Sequence, residues 1–212
     1  SECPSNVDMT KLRAEFLYQY YKQHPVPFRS FLIGHYPWFN AMAVPFHHIY
    51  NFIITNKVAA YLFKKTVGFS TSRSLPTLYN FTLKKWAKKH LVELEHPIKT
   101  VYFFNDEFTN TVDAPIGVAA LSLLQALNYQ VRIVNNAFSG RTYLSKGLLK
   151  KAKKLADENV RLYAPLLHDE IPLVGLEPSG ILSFRDEYKE LVDNNLKENA
   201  IKFAFSFKLL ST

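Results

Sequence analysis

The sequence predicts an α/β protein in two parts: a helical region over 1–96, then a domain over 97–212 with a mainly parallel sheet between helical layers. Three observations carry this. Pro25, Pro27, Pro37 and Pro45 cut the first part into short helices, because proline removes a backbone donor and clashes with the preceding turn. Near Pro97 the texture changes, and short apolar runs begin to alternate with helical patterns; that alternation implies parallel strands joined by crossover helices. An apolar fraction of 48% in 212 residues is enough to bury a core of this size.

The first helix is expected to start at Asp8, an N-cap residue type, with Leu12, Phe16, Leu17 and Tyr20 along one face. The stretch from Phe28 to Phe63 is rich in Phe, Tyr, Trp, Ile and Val, which suits either a core or a surface that docks against a missing part of a longer protein. Arg29, His35, Pro37, Pro45, His47, His48 and Lys57 interrupt it before any run reaches the ~20 apolar residues that a membrane-spanning helix needs. Membrane contact, if any, is therefore expected only peripherally. After Pro97 the sequence predicts a strand at Val101–Phe104, a helix from Pro115 to Leu127, a strand at Val131–Val134, a long helix from about Ser145 to Tyr163 and a strand at Pro172–Leu176. This order reads as a Rossmann-like, three-layer domain.

In open parallel sheets ligands gather at the carboxyl ends of the strands. Three loops fall there: Asn105 to Asn110, Phe138 to Arg141, and Glu177 to Gly180. They offer Asp106, Glu107, Ser139, Arg141, Glu177 and Ser179 as lining for a polar pocket suited to an anion or a hard cation. The same residues have ordinary structural uses, with Asp113 capping the Pro115 helix and Arg141 bridging Glu177. Both readings stay open on the sequence.

The net charge of +8 comes largely from Lys84, Lys85, Lys88, Lys89 and Lys150, Lys151, Lys153, Lys154. Both clusters fall in helical patterns and accompany no nucleic-acid-binding motif, so solvated helix faces explain them and no nucleic-acid partner is expected. His47 and His48 are adjacent and cannot chelate one metal well from a helix. No Gly-x-Ser-x-Gly elbow and no glycine-rich dinucleotide fingerprint is present, which argues against a hydrolase and an NAD enzyme.

Cys3-Pro4 is the remaining motif. Bacterial-type iron–sulfur runs end in Cys-Pro, each thiolate supplying one bond to cluster iron. Cys3 is the sole cysteine, so it reads either as an ordinary terminal thiol or as one ligand of an incomplete 4Fe-4S metal site, in which case the chain is a piece of a longer protein. A single cysteine excludes an internal disulfide and fits a cytoplasmic location, with any membrane contact at the inner face.

Taken in order, the strand at Val101, the polar loop, the Ser139-Gly140-Arg141 loop, the helix beginning Leu144-Ser145-Lys146-Gly147, Glu177-Pro178-Ser179 and Phe184-Arg185-Asp186-Glu187-Tyr188 resemble the cysteine-rich (CCG) domain of iron–sulfur oxidoreductases. The last two motifs look closest to the fused FAD-linked oxidase type, which includes D-lactate and glycolate dehydrogenases. That resemblance implies a parent enzyme that oxidises a 2-hydroxyacid with FAD and 4Fe-4S centres and passes electrons onward. It also implies partners in the same parent chain, a flavin domain and a ferredoxin-like module. The departures are specific. Asn105-Asp106-Glu107 stands where the family commonly has a cysteine, Phe138-Ser139-Gly140-Arg141 where it has Cys-Cys-Gly-Arg, and Gly180 where a cysteine follows Glu-Pro-Ser. Hydroxyl and carboxylate oxygens are poor substitutes for soft thiolates, so no cofactor is expected in this fragment alone, which is read as structural or electron-relay supporting, or else as a noncatalytic docking module.

Overall fold

A computed structural model describes residues 8–167, 171–204 and 207–209. Its first half is a run of short helices: α1 (Met9–Tyr20), α2 (Phe28–Gly34), α3 (Tyr36–Ala43), α4 (His47–Thr55), α5 (Lys57–Val67) and α6 (Leu83–His90). Asp8 caps α1, its carboxylate accepting from Thr10 N at 3.0 Å and Lys11 N at 3.2 Å. Of the face named from the sequence only Leu17 is half-buried. Leu12, Phe16 and Tyr20 are exposed, whereas Ala14 is buried. The inward side is set by the close approach of Leu17 to Gly147, where an added Cβ would lie 2.4 Å from Leu17 Cβ. Many aromatics of α2 to α5 are exposed as well, so they supply surface and not core.

The second half contains β1 (Lys99–Phe103), α7 (Glu107–Thr111), α8 (Ala114–Ala126), β2 (Tyr129–Arg132), α9 (Arg141–Ser145), α10 (Leu149–Tyr163), β3 (Leu173–Gly175), α11 (Pro178–Ile181), α12 (Ser183–Asp186), α13 (Tyr188–Leu191), α14 (Lys197–Ala204) and β4 (Phe207–Leu209). The strands form one sheet in the order β2-β1-β3-β4, every pairing parallel. The expected α/β class with a parallel sheet is what forms. β2 begins two residues earlier than the apolar run at 131–134 indicated, because Tyr129 and Gln130 pair with Lys99 and Thr100. The single long helix expected from Ser145 is two, α9 and α10. Gly147, at φ 69°, takes the left-handed conformation between them, which costs glycine little and most residues more.

The sheet alternates as a two-sided core requires. Val101 and Phe103 face a layer containing Leu83 and Ala87 of α6 and Leu121 and Leu124 of α8. Phe104 and Leu173 face the opposite layer with Val160 and Tyr163 of α10 and Phe184 and Tyr188 from α12 and α13. Phe184 is the hub of that layer, its ring meeting Phe104 at 4.7 Å and Tyr188 at 4.6 Å edge to face. Among the described residues no helix is long and apolar enough to cross a membrane.

Candidate functional site at the strand carboxyl ends

The three loops named from the sequence do meet. β1 ends against Asp106 and Glu107, the β2 chain continues to Ser139, and β3 leads into Glu177 and Gly180. A Cβ placed on Gly180 would be 3.7 Å from Asp106 Cβ, Ser139 Cβ and Glu177 Cγ. The loops that carry cysteines in the resembled domain thus converge on one spot here.

The occupants of that spot satisfy one another. Asp106 caps α7, accepting from Phe108 N at 2.9 Å and Thr109 N at 3.0 Å, and its second oxygen accepts from the Thr109 hydroxyl. Glu107 is buried and accepts from Ser139 N at 2.8 Å and from Ser139 Oγ at 2.7 Å. Tyr188 donates to Ser139 O at 2.8 Å and accepts from Asn159 Nδ2 at 3.1 Å. Asn159 also accepts from Ala137 N at 3.0 Å and donates to Phe138 O at 3.0 Å. One buried network therefore fixes residues 137–139 by side chains from α7, α10 and α13. Asn159 did not stand out in the sequence and Tyr188 did so only within the Phe184–Tyr188 motif, since an amide and a phenol in helical patterns give no sign of such bonds until packing buries them.

Burial pushes the Asp106 and Glu107 carboxyls above the ordinary carboxylate range, and their bonds to Thr109 and Ser139 oppose that rise only partly. Desolvation penalises the charged form, while donors aimed at it favour that form. Tyr188, fully enclosed, is likewise pushed well above its usual value by burial.

Two expected contacts differ. Arg141 pairs with Glu187 and not with Glu177, because α13 brings Glu187 to the start of α9. Glu177 instead caps α11, accepting from Ser179 N at 3.2 Å and Ser179 Oγ at 2.5 Å. Asp113 occupies the N-cap position of α8 but its side chain accepts no capping bond. Cys3 lies outside the described residues.

A cavity of about 140 Å³ opens beside this network, lined by Lys84, Asn105, Glu107, Asn110, Asn135 and Asn136 among others. Of the residues predicted to form a pocket, Glu107 lines it. Asn105 and the Asn135-Asn136 pair follow directly on β1 and β2, so the strand-end rule that selected Asp106 and Ser139 pointed to them too. The Asn105 Oδ1 atom is buried without a hydrogen-bond partner among the described residues, while its Nδ2 donates to Asn110 Oδ1 at 2.9 Å.

The donor set does not fit an iron–sulfur cluster. The convergence point holds carboxylates, a hydroxyl and a glycine, each carboxylate already engaged, and no thiolate stands there among the described residues. Among the described residues no group of three or more His, Cys, Asp or Glu side chains is arranged to hold a metal ion.

No protein-family model matches the chain, and no solved structure matches it. Curated proteins do. The chain is 27% identical over 205 residues to a D-2-hydroxyglutarate dehydrogenase of Haemophilus influenzae, covering 90% of this chain and 19% of that protein. It is 24% identical over 200 residues to the Escherichia coli protein of the same name, covering 89% of this chain and 19% of the relative. With the Pseudomonas putida protein of that name it shares 26% identity over 200 residues, 90% of this chain and 20% of the relative. The chain spans about one fifth of the length of these relatives. The likeness fits the cysteine-rich-domain region of an FAD-linked oxidase, as the motifs around Ser139 and Glu177 indicated.

Proposed function

We propose that this chain is a segment of a flavin- and iron–sulfur-dependent 2-hydroxyacid dehydrogenase, and that the segment supports the redox centres without holding one. The similarity to D-2-hydroxyglutarate dehydrogenases along 90% of the chain carries the first part. It favours D-2-hydroxyglutarate over D-lactate or glycolate as the first substrate to try. The buried Glu107–Ser139 bonds and the Asp106 cap of α7 carry the second, since oxygen groups already engaged with nearby donors at the thiolate positions are poor ligands for iron. In such an enzyme FAD accepts the hydride equivalent and 4Fe-4S centres pass single electrons on, while the protein positions and tunes them. The experiment is anaerobic expression of the whole polypeptide that carries this segment, beside the segment alone. The whole polypeptide is expected to show flavin and cluster absorbance that D-2-hydroxyglutarate bleaches. The segment is expected to be colourless and inactive. Stoichiometric iron and sulfide in the segment would overturn the supporting role, and a whole polypeptide that no 2-hydroxyacid reduces would overturn the enzyme.

A second reading, docking, is favoured by the apolar face of α1, where Leu12, Phe16 and Tyr20 are exposed immediately after the Cys3-Pro4 motif. On this reading the face packs against the ferredoxin-like module or flavin domain of the same parent chain. Capture of the separately expressed flavin domain by the segment, abolished by Phe16→Ser, tests it.

A further inference from the structure

Residues 16 to 92 contain ten Lys and Arg and no Asp or Glu. Within this stretch α4 and α5 form a helical hairpin. Its inner side is tied down: Asn51 Nδ2 donates to Leu78 O at 2.8 Å and Asn51 Oδ1 accepts from Leu78 N at 2.9 Å, while Ile54, Ala60 and Val67 are buried. Asn56 closes the turn by capping α5, accepting from Val58 N at 3.1 Å and Ala59 N at 3.0 Å.

The outer side is apolar and open. Ile49, Phe52 and Ile53 on α4, and Val58, Tyr61 and Leu62 on α5, each follow the i, i+3, i+4 spacing of a single helix face, and all six are between 38% and 69% exposed. Lys57 stands at the tip and Lys65 beside Tyr61, its ammonium 5.8 Å from the ring centroid. We propose that this outer face is an interfacial anchor for a bilayer surface rich in anionic lipid. An amphipathic helix lies in the membrane interface when an apolar face enters the acyl boundary and basic side chains reach the head groups. The hairpin supplies both, on helices too short to span, and a long stretch without acidic residues removes the repulsion that an anionic surface would meet. The other candidate occupant is the remaining four-fifths of a relative-sized polypeptide. A protein partner would not require the surrounding stretch to be free of acid, since protein surfaces interleave both signs.

The test is co-sedimentation of the whole polypeptide with phosphatidylcholine vesicles and with vesicles containing phosphatidylglycerol. Binding is expected to be stronger by about tenfold or more on the anionic vesicles and to weaken as salt is raised. Phe52→Ser with Leu62→Ser should abolish it, and Lys57→Glu with Lys65→Glu should reduce it by about tenfold; all four positions are solvent-exposed, so the fold should survive, which unchanged circular dichroism checks. Equal binding to both vesicle types, no binding, or unaltered binding by the folded variants would overturn the anchor. None of these readouts depends on hydroxyacid turnover, so the anchor and the enzymatic reading fail separately.

Discussion

Removing the Glu107 side chain should destabilise the fold without touching any exposed surface. Glu107→Ala deletes two hydrogen bonds from Ser139, at 2.8 and 2.7 Å, leaves both donors without their acceptor and opens a gap. Hydrogen bonds to a charged group contribute ~1.5–3 kcal/mol each, and the relief of burying a carboxylate offsets part of that loss, so the net cost is about 3 kcal/mol. Glu107→Gln keeps an acceptor for Ser139 N, and its amide can donate to the rotated hydroxyl, so it should cost about 1 kcal/mol. The pH dependence supplies a second signature. Burial raises the Glu107 pKa in the folded state, so the folded protein binds this proton more readily than the unfolded chain does. The contribution is then fully present below the unfolded carboxylate value of ~4.3 and is lost as pH rises through the folded value. The wild type's advantage over Glu107→Gln should therefore shrink from pH 5 to pH 8. Urea unfolding of this chain and the two variants across that range measures both. An Ala variant within about 0.5 kcal/mol of the wild type, or an advantage that grows with pH, would refute the reasoning.

Gly147→Ala should destabilise by about 3 kcal/mol, combining the left-handed φ of 69° with a Cβ placed 2.4 Å from Leu17 Cβ; the same unfolding assay reads it, and an unchanged midpoint would contradict the close approach of α1. Phe184→Ala, which empties the ring position between Phe104 and Tyr188, should cost ~4 kcal/mol in the same assay. Arg141→Ala strands the half-buried Glu187, whose carboxyl burial already pushes up and Arg141 holds down. Its cost, about 2 kcal/mol near neutral pH, should fall as pH drops and Glu187 protonates, because a folded pKa raised further loses its contribution as pH rises. Thermal melts at pH 5 and pH 8 give the sign.

Local pattern determined a good deal of this protein. The alternation of apolar runs with helices after Pro97 implied a parallel sheet with helices on both faces, and Val101, Phe103 and Leu173 take core positions because strand side chains alternate. The same reasoning placed the three strand-end loops together, and Ser139, Asp106 and Gly180 do meet. Tertiary structure decided what local pattern leaves degenerate. Leu12, Phe16, Leu17 and Tyr20 are all apolar positions of α1, and the fit of Leu17 against Gly147 turns the Ala14–Leu17 side inward and leaves the other three exposed. Charge pairing is equally nonlocal: Arg141 had two glutamates within reach in principle, and the packing of α13 chose Glu187. Whether Glu107 would be a solvated carboxylate or a buried one depended on Ser139, 32 residues away. Sequence spacing states which side chains a helix or strand presents; which of them become buried, bonded or open depends on neighbours that chain folding brings from far along the sequence.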